Sequence, residues 1–326
     1  MRGEFDLIAR YFAPLAAAAP GADGLRNDAA LLDLGPDETL VVTVDAMVEG
    51  VHFLPEDPPD LVARKLLRVN LSDLAAMGAR PRSYVMTTAF PHRVDEAWIE
   101  AFAEGLAADQ RAFGVTLVGG DTVATPGPLS LSLTAFGVVP RGRALARATA
   151  RAGDLVYVSG TIGDGALGLK AIRGELPDVP APARAALIDR YRLPEPRLAL
   201  GRALVETGLA SAAIDLSDGL VADLGHVAET SGLAAEIQAG AVPLSDAAGA
   251  ALTGRPGLRR SVLSGGDDYE LLFTAAPGRA GEVADLAAAL GLPLSRVGRL
   301  LEGQGIRVLD EAGQEIARPG GGWSHF

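Results

Sequence analysis

Aspartates stand beside apolar runs at six places in this sequence: Asp28 in NDAALL, Asp45 near the end of LVVTVDA, Asp73 in NLSD, Asp121 after Gly119-Gly120, and Asp215 and Asp218 in DLSD. Any one of them reads as a turn residue. As a set at strand-to-loop junctions, in a chain with no cysteine and 4 histidines, they suit oxygen-ligated hard cations such as Mg²⁺ or Mn²⁺. If a nucleotide is bound, such ions would hold its phosphates.

The look-alike tetrapeptides at 70–73 and 215–218 sit in different surroundings. In the predicted helix 59–77, Val62, Leu66 and Val69 step by four and three, which puts Asp73 and Ala76 next on the apolar stripe. A carboxylate on that face needs a cation or hydrogen-bond donors, because an uncompensated buried charge costs several kcal/mol. The alternative ends the stripe early and starts a fresh helix with Ser72 as its N-cap. In the second copy the apolar SAAI runs directly into Asp215, and Leu220, Leu224 and Val227 form a helical stripe only afterwards. Here Ser217 reads as an N-cap and Asp218 as a first-turn residue, where free amides favour either its own carboxylate or a phosphate. Capping accounts for those two residues and leaves Asp215 unexplained.

Glycine-rich stretches offer phosphate loops less readily. GTIGDGALGLKA at 160–171 fails as a P-loop, since Lys170 comes one place late and Ala171 stands where a Ser or Thr would hold the cation. It reads as a glycine-rich turn opening a helix, and no dinucleotide fingerprint is present. LSGGDDYELLF at 263–273 reads as a tight turn before a strand, whose paired glycines let backbone approach a ligand and whose Asp267 or Asp268 suits a cationic one.

The elements that must position these residues follow from hydrophobic periodicity. Strands are expected at 39–46, 83–90, 115–121 and 129–139, with helices at 59–77 and 95–113. An arginine-rich connection then leads to a strand at 155–160, which puts a domain boundary near residue 150. Helices at 165–173, 183–191 and 197–207, a short strand into Asp215, a helix to Ser231, the strand YELLFT, a helix at 279–290 and two short final strands complete the second half. At the N-terminus Phe5, Ile8, Ala9 and Phe12 fall at helical spacing, and Glu4, Asp6 and Arg10 break the apolar run, so an amphipathic helix is expected there, not a signal peptide.

With 326 residues, 48% hydrophobic, the chain is long enough for two domains. A formal net charge of −12 argues against a nucleic-acid backbone as partner. No run approaches the roughly 18 apolar residues of a membrane helix, and a cytoplasmic protein is expected. The absence of cysteine rules out disulfides, thiol nucleophiles and Cys-ligated metal sites.

GEFDLIARYFAP, NDAALL, TVDAMVEGVHF, VNLSDLAAMGARP, LVGGDT, GRALAR, VSGTIGDGALGL, AIDLSDGL and SGGDDYELLF, in this order and over nearly the whole chain, resemble the thiamine-monophosphate kinase family. That family shares a superfamily with aminoimidazole ribonucleotide synthetase, selenophosphate synthetase and a hydrogenase maturation protein. The resemblance implies an α/β (α+β) protein of two domains, residues 1–150 and 151–326. The first is a mixed sheet with helices that binds metal and ATP and dimerises through its sheet; the second is an α/β sandwich. It implies ATP-dependent phosphorylation of thiamine monophosphate to thiamine diphosphate, with several Mg²⁺ ions and a homodimer.

By the same resemblance Asp28, Asp45, Asp73, Asp121, Asp215 and Asp218 hold magnesium, with Thr43 and the Val44 backbone, as the two domains' contributions to one cluster. Gly120, Asp121, Arg147 and Ser217 contact ATP; His52, Asp267 and Trp323 contact thiamine phosphate. For His52, packing beside Phe53 is the plain alternative. The chain departs from the family pattern at Asn27, where an aspartate is common, at Asp267, where glutamate is usual, and at Trp323, where tyrosine is common. The rival readings are another ATP-dependent enzyme of the superfamily, a metal-dependent phosphohydrolase and a metal-binding protein without catalysis. Selenophosphate synthesis is disfavoured by the lack of cysteine.

Overall fold

The computed structural model describes residues 4–25 and 29–316; Asp28 and Trp323 lie outside the described residues. The chain divides into two compact units, Met1–Leu74 with Ala79–Arg143, and Ala75–Gly78 with Ala144–Phe326. Among the described residues no helix is long and apolar enough to cross a membrane.

The first unit opens on α1 (Glu4–Leu7), which passes into a π-turn over Ile8–Phe12 and tighter 3₁₀ turns over Ala13–Ala16 and Pro20–Leu25. The expected single amphipathic helix is therefore broken. Pro14, without an amide proton, stands at the start of the second segment; of the expected stripe Phe12 is buried, with Leu7, Tyr11 and Leu15, while Ile8 is half-buried and Ala9 exposed.

Next come β1 (Glu38–Val48), α2 (Pro59–Ala76), β2 (Arg80–Pro91), α3 (Glu96–Phe113), β3 (Thr116–Thr125) and β4 (Ser130–Pro140). The strands make one mixed sheet in the order β1-β4-β2-β3, antiparallel except for the β2–β3 pair, whose connection is α3. Asp95 caps α3 by accepting from Trp98 N at 2.9 Å, and Gly114, at φ 65°, ends it. Two features join α2 to α3. The buried Asp109 accepts from Arg64 Nε at 2.9 Å and Arg68 Nε at 2.6 Å, and Gly105 lies so close that a Cβ would come within 2.3 Å of Asp60 O.

The second unit contains β5 (Leu155–Ser159), α4 (Asp164–Ile172), α5 (Ala181–Arg192), α6 (Leu198–Thr207), β6 (Ala212–Asp215), α7 (Leu220–Ser231), β7 (Leu233–Gln238), α8 (Asp246–Leu252), α9 (Leu258–Ser264), β8 (Leu271–Ala275), α10 (Ala280–Leu290), β9 (Leu294–Glu302) and β10 (Gly305–Leu309). Its sheet runs β10-β7-β9-β5-β8-β6, with only β10–β7 parallel among these pairs. The core gathers Val156, Val158, Ile214, Leu224, Leu272 and Val297.

Periodicity misses β7, α8 and α9. LAAEIQ carries helix-forming residues, yet it pairs with β9 and β10 on both sides, so tertiary hydrogen bonding overrides local preference. The two missed helices have 7 residues each, too short for a stripe.

Candidate active site

In the first unit the alternation of β1 decides what each acid faces. Val41 and Met47 are buried and Thr43 and Asp45 share their side of the strand, whereas Leu40, Val42 and Val44 point outward and are exposed. The inward residues meet α2. Thr43 Oγ1 donates to Asp73 Oδ2 at 2.5 Å, and Asp45 N donates to Asn70 Oδ1 at 3.1 Å. Asn70 is fully buried and donates through Nδ2 to Leu66 O at 2.9 Å, so its amide group locks β1 to α2 one helical turn before Asp73.

Asp73 lies inside an unbroken α2, and Ser72 is fully buried, which removes the reading of Ser72 as an N-cap. Asp45 belongs to the interior of β1 and Asp121 to the interior of β3, not to strand ends as the sequence suggests. The strands run past them because β1 pairs with β4 in unbroken register from Glu38 to Val48, and β3 pairs with β2 as far as Thr125.

Burial, and secondarily the neighbouring Asp73 carboxylate, push Asp45 up to about 6 from 3.8. Between these values the folded unit holds a proton that the unfolded chain has released, so stability of the metal-free protein falls as pH rises from about 4 to 6. A divalent cation needs the ionised form. Thermal melts of the metal-free protein across that window are expected to show the midpoint falling with pH; a midpoint flat in pH would contradict this.

Asp121 is exposed, opposite Thr87 of β2. Gly120 beside it must be glycine, since a Cβ there would lie 2.1 Å from Met86 O. A cavity of about 120 Å³ opens against this strand, lined by Ile8, Phe12, Leu25, Met86, Gly120 and Asp121 among others. His52 is half-buried and shapes its own turn: Nδ1 accepts from Val48 N at 3.0 Å, while its carbonyl accepts from Lys65 Nζ at 3.2 Å. Phe53 beside it is buried in the core.

In the second unit Asp215 ends β6 as expected and is 7% exposed. Ser217 is not an N-cap. The helix α7 begins at Leu220 behind Gly219, whose backbone (φ 114°, ψ 153°) a side chain would strain, and no Ncap side chain bonds the helix. The acceptor comes from inside the first turn: Asp223 Oδ2 receives Asp218 N at 3.1 Å and Gly219 N at 3.0 Å. Asp218 thus precedes the helix instead of lying in its first turn. Burial foremost, then the Asp218 charge, push Asp223 up to about 7. Asp218, Asp223 and His226 offer ligand atoms within 4.8 Å of one another.

The Ser217 turn packs on the 265–270 segment. Asp267 N donates to Ser217 O at 2.9 Å and Tyr269 N to Leu216 O at 2.8 Å. The paired glycines allow this approach: a Cβ on Gly266 would sit 2.0 Å from Ser217 O, and one on Gly265 2.4 Å from Ala166 Cβ. Asp267 itself adopts φ 69°, a left-handed conformation that aspartate tolerates better than most residues. Its neighbour Asp268 is buried and accepts from Gly163 N at 2.7 Å and Gly165 N at 3.1 Å, so the amides of the glycine-rich turn before α4 are satisfied by the protein's own carboxylate. Burial pushes Asp268 up to about 8 against the pull of those two donors. Arg147 is exposed, and its carbonyl accepts from Thr230 Oγ1 at 3.4 Å and Ser231 Oγ at 3.3 Å.

Among the site residues, Asn70 and Asp223 are the two that sequence reasoning missed. Their only signal is spacing, since Asn70 precedes Asp73 by one helical turn and Asp223 follows Asp218 by five residues.

Residues 26–139 match the family model of the AIR synthase related protein N-terminal domain, and residues 151–311 match that of the C-terminal domain. The thiamine-monophosphate kinase of Caulobacter vibrioides is 46% identical over 325 residues, 99% of this chain and 90% of the relative. Among solved structures, thiamine-monophosphate kinase from Stenotrophomonas maltophilia K279a superposes with a TM-score of 0.81 at 44% identity, covering 90% of this chain and 91% of that one. AaThiL complexed with AMPPCP and TMP gives a TM-score of 0.79 at 31% identity, covering 100% and 99%. With both AIR synthase related domains matched and relatives this similar over nearly their full length, the chain belongs to the thiamine-monophosphate kinase family.

Proposed function

We propose that this protein transfers the γ-phosphoryl group of ATP to the phosphate of thiamine monophosphate, giving thiamine diphosphate and ADP. The observation that carries this reading is the meeting of Asp45 and Asp73 between β1 and α2, where Thr43 donates to the Asp73 carboxylate and Asn70 accepts from the Asp45 amide. Their mutual repulsion makes chemical sense opposite a cation, and all the donors are oxygens. Membership in the family and the AaThiL complex with AMPPCP and TMP support the choice of substrates.

The residues present fit magnesium. In the first unit Asp28, Asp45, Asp73 and Asp121, with Thr43 Oγ1 and the Val44 carbonyl, would hold magnesium, and in the second unit Asp215 and Asp218 would. When bound, Mg²⁺ neutralises the charge that builds on the transferring phosphoryl group. Gly120 and Asp121 on β3 border the nucleotide. Arg147 offers a fork of donors to its phosphates, and Ser217 lies in a turn fixed from both sides. His52, Asp267 and Trp323 are assigned to thiamine phosphate, whose cationic heterocycle suits the charge of an aspartate and the π-face of a tryptophan. The acceptor phosphate, with a second pKa of about 6, is already ionised at neutral pH, so no residue need act as general base. A cytoplasmic setting fits the use of ATP. The reading requires ADP to form only when magnesium and thiamine monophosphate are both present.

The functional unit is a homodimer joined through the first sheet. Leu40, Val42 and Val44 are 36%, 52% and 59% exposed on one face of β1, and Val42 stands opposite Phe136 of β4. A contiguous apolar row of this kind is what an interface buries. Val42→Asp is expected to convert a dimer into a monomer in sedimentation equilibrium, whereas a variant that stays dimeric would place the interface elsewhere.

A further inference from the structure

One buried carboxylate beside the Ser217–Asp218 turn has no part in the reaction as proposed. Asp223 is 2% exposed and lies in the first turn of α7, yet its Oδ2 turns back to the chain before the helix and accepts from both Asp218 N and Gly219 N, at 3.1 and 3.0 Å. In return Asp223 N donates to Gly219 O at 3.0 Å. A helix start leaves amide donors without partners, and the common remedy is a side chain at the Ncap, which Gly219 lacks. The turn is held from its other side by the bond from Asp267 N to Ser217 O, and Gly266 and Gly219 leave no room for it to shift toward the 264–266 backbone.

We propose that Asp223 is a positioning residue for the reaction: by fixing the amides of Asp218 and Gly219 it sets the direction of the Asp218 carboxylate toward the cation and of Ser217 toward the nucleotide. This inference rests on the magnesium and ATP reading above. A competing role is direct ligation, since Asp218, Asp223 and His226 lie within ligand reach of one another. Geometry favours positioning, because one oxygen already serves two amides. The two roles respond differently to one substitution. Asparagine can put its side-chain oxygen where Oδ2 stands and keep both hydrogen bonds, but it is a poor ligand for a hard cation; alanine keeps neither.

The test measures Mn²⁺ binding to the full chain by electron paramagnetic resonance with AMPPCP present, together with amide hydrogen exchange of residues 217–219, for wild type, Asp223→Asn and Asp223→Ala. Asp223→Ala is expected to weaken Mn²⁺ binding about 10–100-fold and to speed exchange of the two amides, while Asp223→Asn stays within about threefold of wild type in both. Wild-type Mn²⁺ affinity in Asp223→Ala would reduce the residue to a helix cap and overturn the proposal. Loss in Asp223→Asn equal to that in Asp223→Ala would make it a ligand and overturn the proposal equally. Should Asp223→Ala fail to fold, Asp223→Asn decides alone, retained binding supporting positioning and lost binding refuting it. A wild-type protein that binds no Mn²⁺ with AMPPCP would sink the magnesium reading and this inference with it, whereas wild-type binding with indifferent variants would sink only the role of Asp223.

Discussion

Asp45→Asn is expected to lower the rate of ADP formation by roughly three orders of magnitude, about 4 kcal/mol of transition-state stabilisation, without loss of fold. The substitution keeps the side-chain size and leaves the bond from the residue 45 amide to Asn70 Oδ1 in place, so β1 and α2 remain joined. It removes a charge that burial and Asp73 both disfavour, as the rise to about 6 records. Metal-free Asp45→Asn should therefore melt at the same temperature as wild type or higher, while losing stabilisation by Mg²⁺. A loss of activity paired with no loss of stability marks a residue kept for its chemistry. Activity within tenfold of wild type would remove Asp45 from the metal set, and a large fall in melting temperature would make it structural.

The largest effect on stability is expected at Glu270. Its carboxylate is fully buried and accepts from Ser159 Oγ at 2.5 Å, Arg190 Nη2 at 3.0 Å and Arg197 Nε at 2.6 Å. Its backbone carbonyl accepts from Leu216 N at 2.9 Å, beside the Ser217 turn. Removing one partner from a buried ionic network leaves the others desolvated and unpaired. Because the Arg190 and Arg197 side chains keep 27% and 19% of their surface in water, the lower end of the usual penalty applies, about 3 kcal/mol. For a unit of this size each kcal/mol moves the melting temperature by about 2–4 °C, so Glu270→Ala should melt roughly 6–12 °C lower in scanning calorimetry. Glu270→Gln retains one acceptor oxygen and should fall between. An unchanged midpoint for the alanine variant would show that the arginines find other partners.

Much of this arrangement is legible in the sequence because its cause is local. The stripe of Val62, Leu66 and Val69 leads to Asp73, and the apolar run into Asp215 ends where β6 ends. The mixed α/β character of both halves follows from the same periodicities. What escapes is set by distant pairing. LAAEIQ becomes β7 because β9 and β10 flank it, which no window of that length reveals.

Capping shows the same limit. Ser217 carries the sequence signature of an N-cap, but Gly219 and the Asp223 carboxylate take over that role where the 217–219 turn must fit against Gly265 and Gly266. Asn70 reads as an ordinary polar helix residue until β1 is laid beside it. The glycine-rich turn at 160–165, which fails as a phosphate loop by its spacing, gives the amides of Gly163 and Gly165 to Asp268, about a hundred residues away in the chain.

The measurement that tests the central claim most directly is ³¹P nuclear magnetic resonance of a reaction containing the protein, ATP, Mg²⁺ and thiamine monophosphate. Consumption of the thiamine monophosphate resonance with growth of the paired diphosphate signals of thiamine diphosphate and ADP, in equal amounts and only when all components are present, is the predicted result. Release of inorganic phosphate from ATP, with thiamine monophosphate untouched, would contradict it.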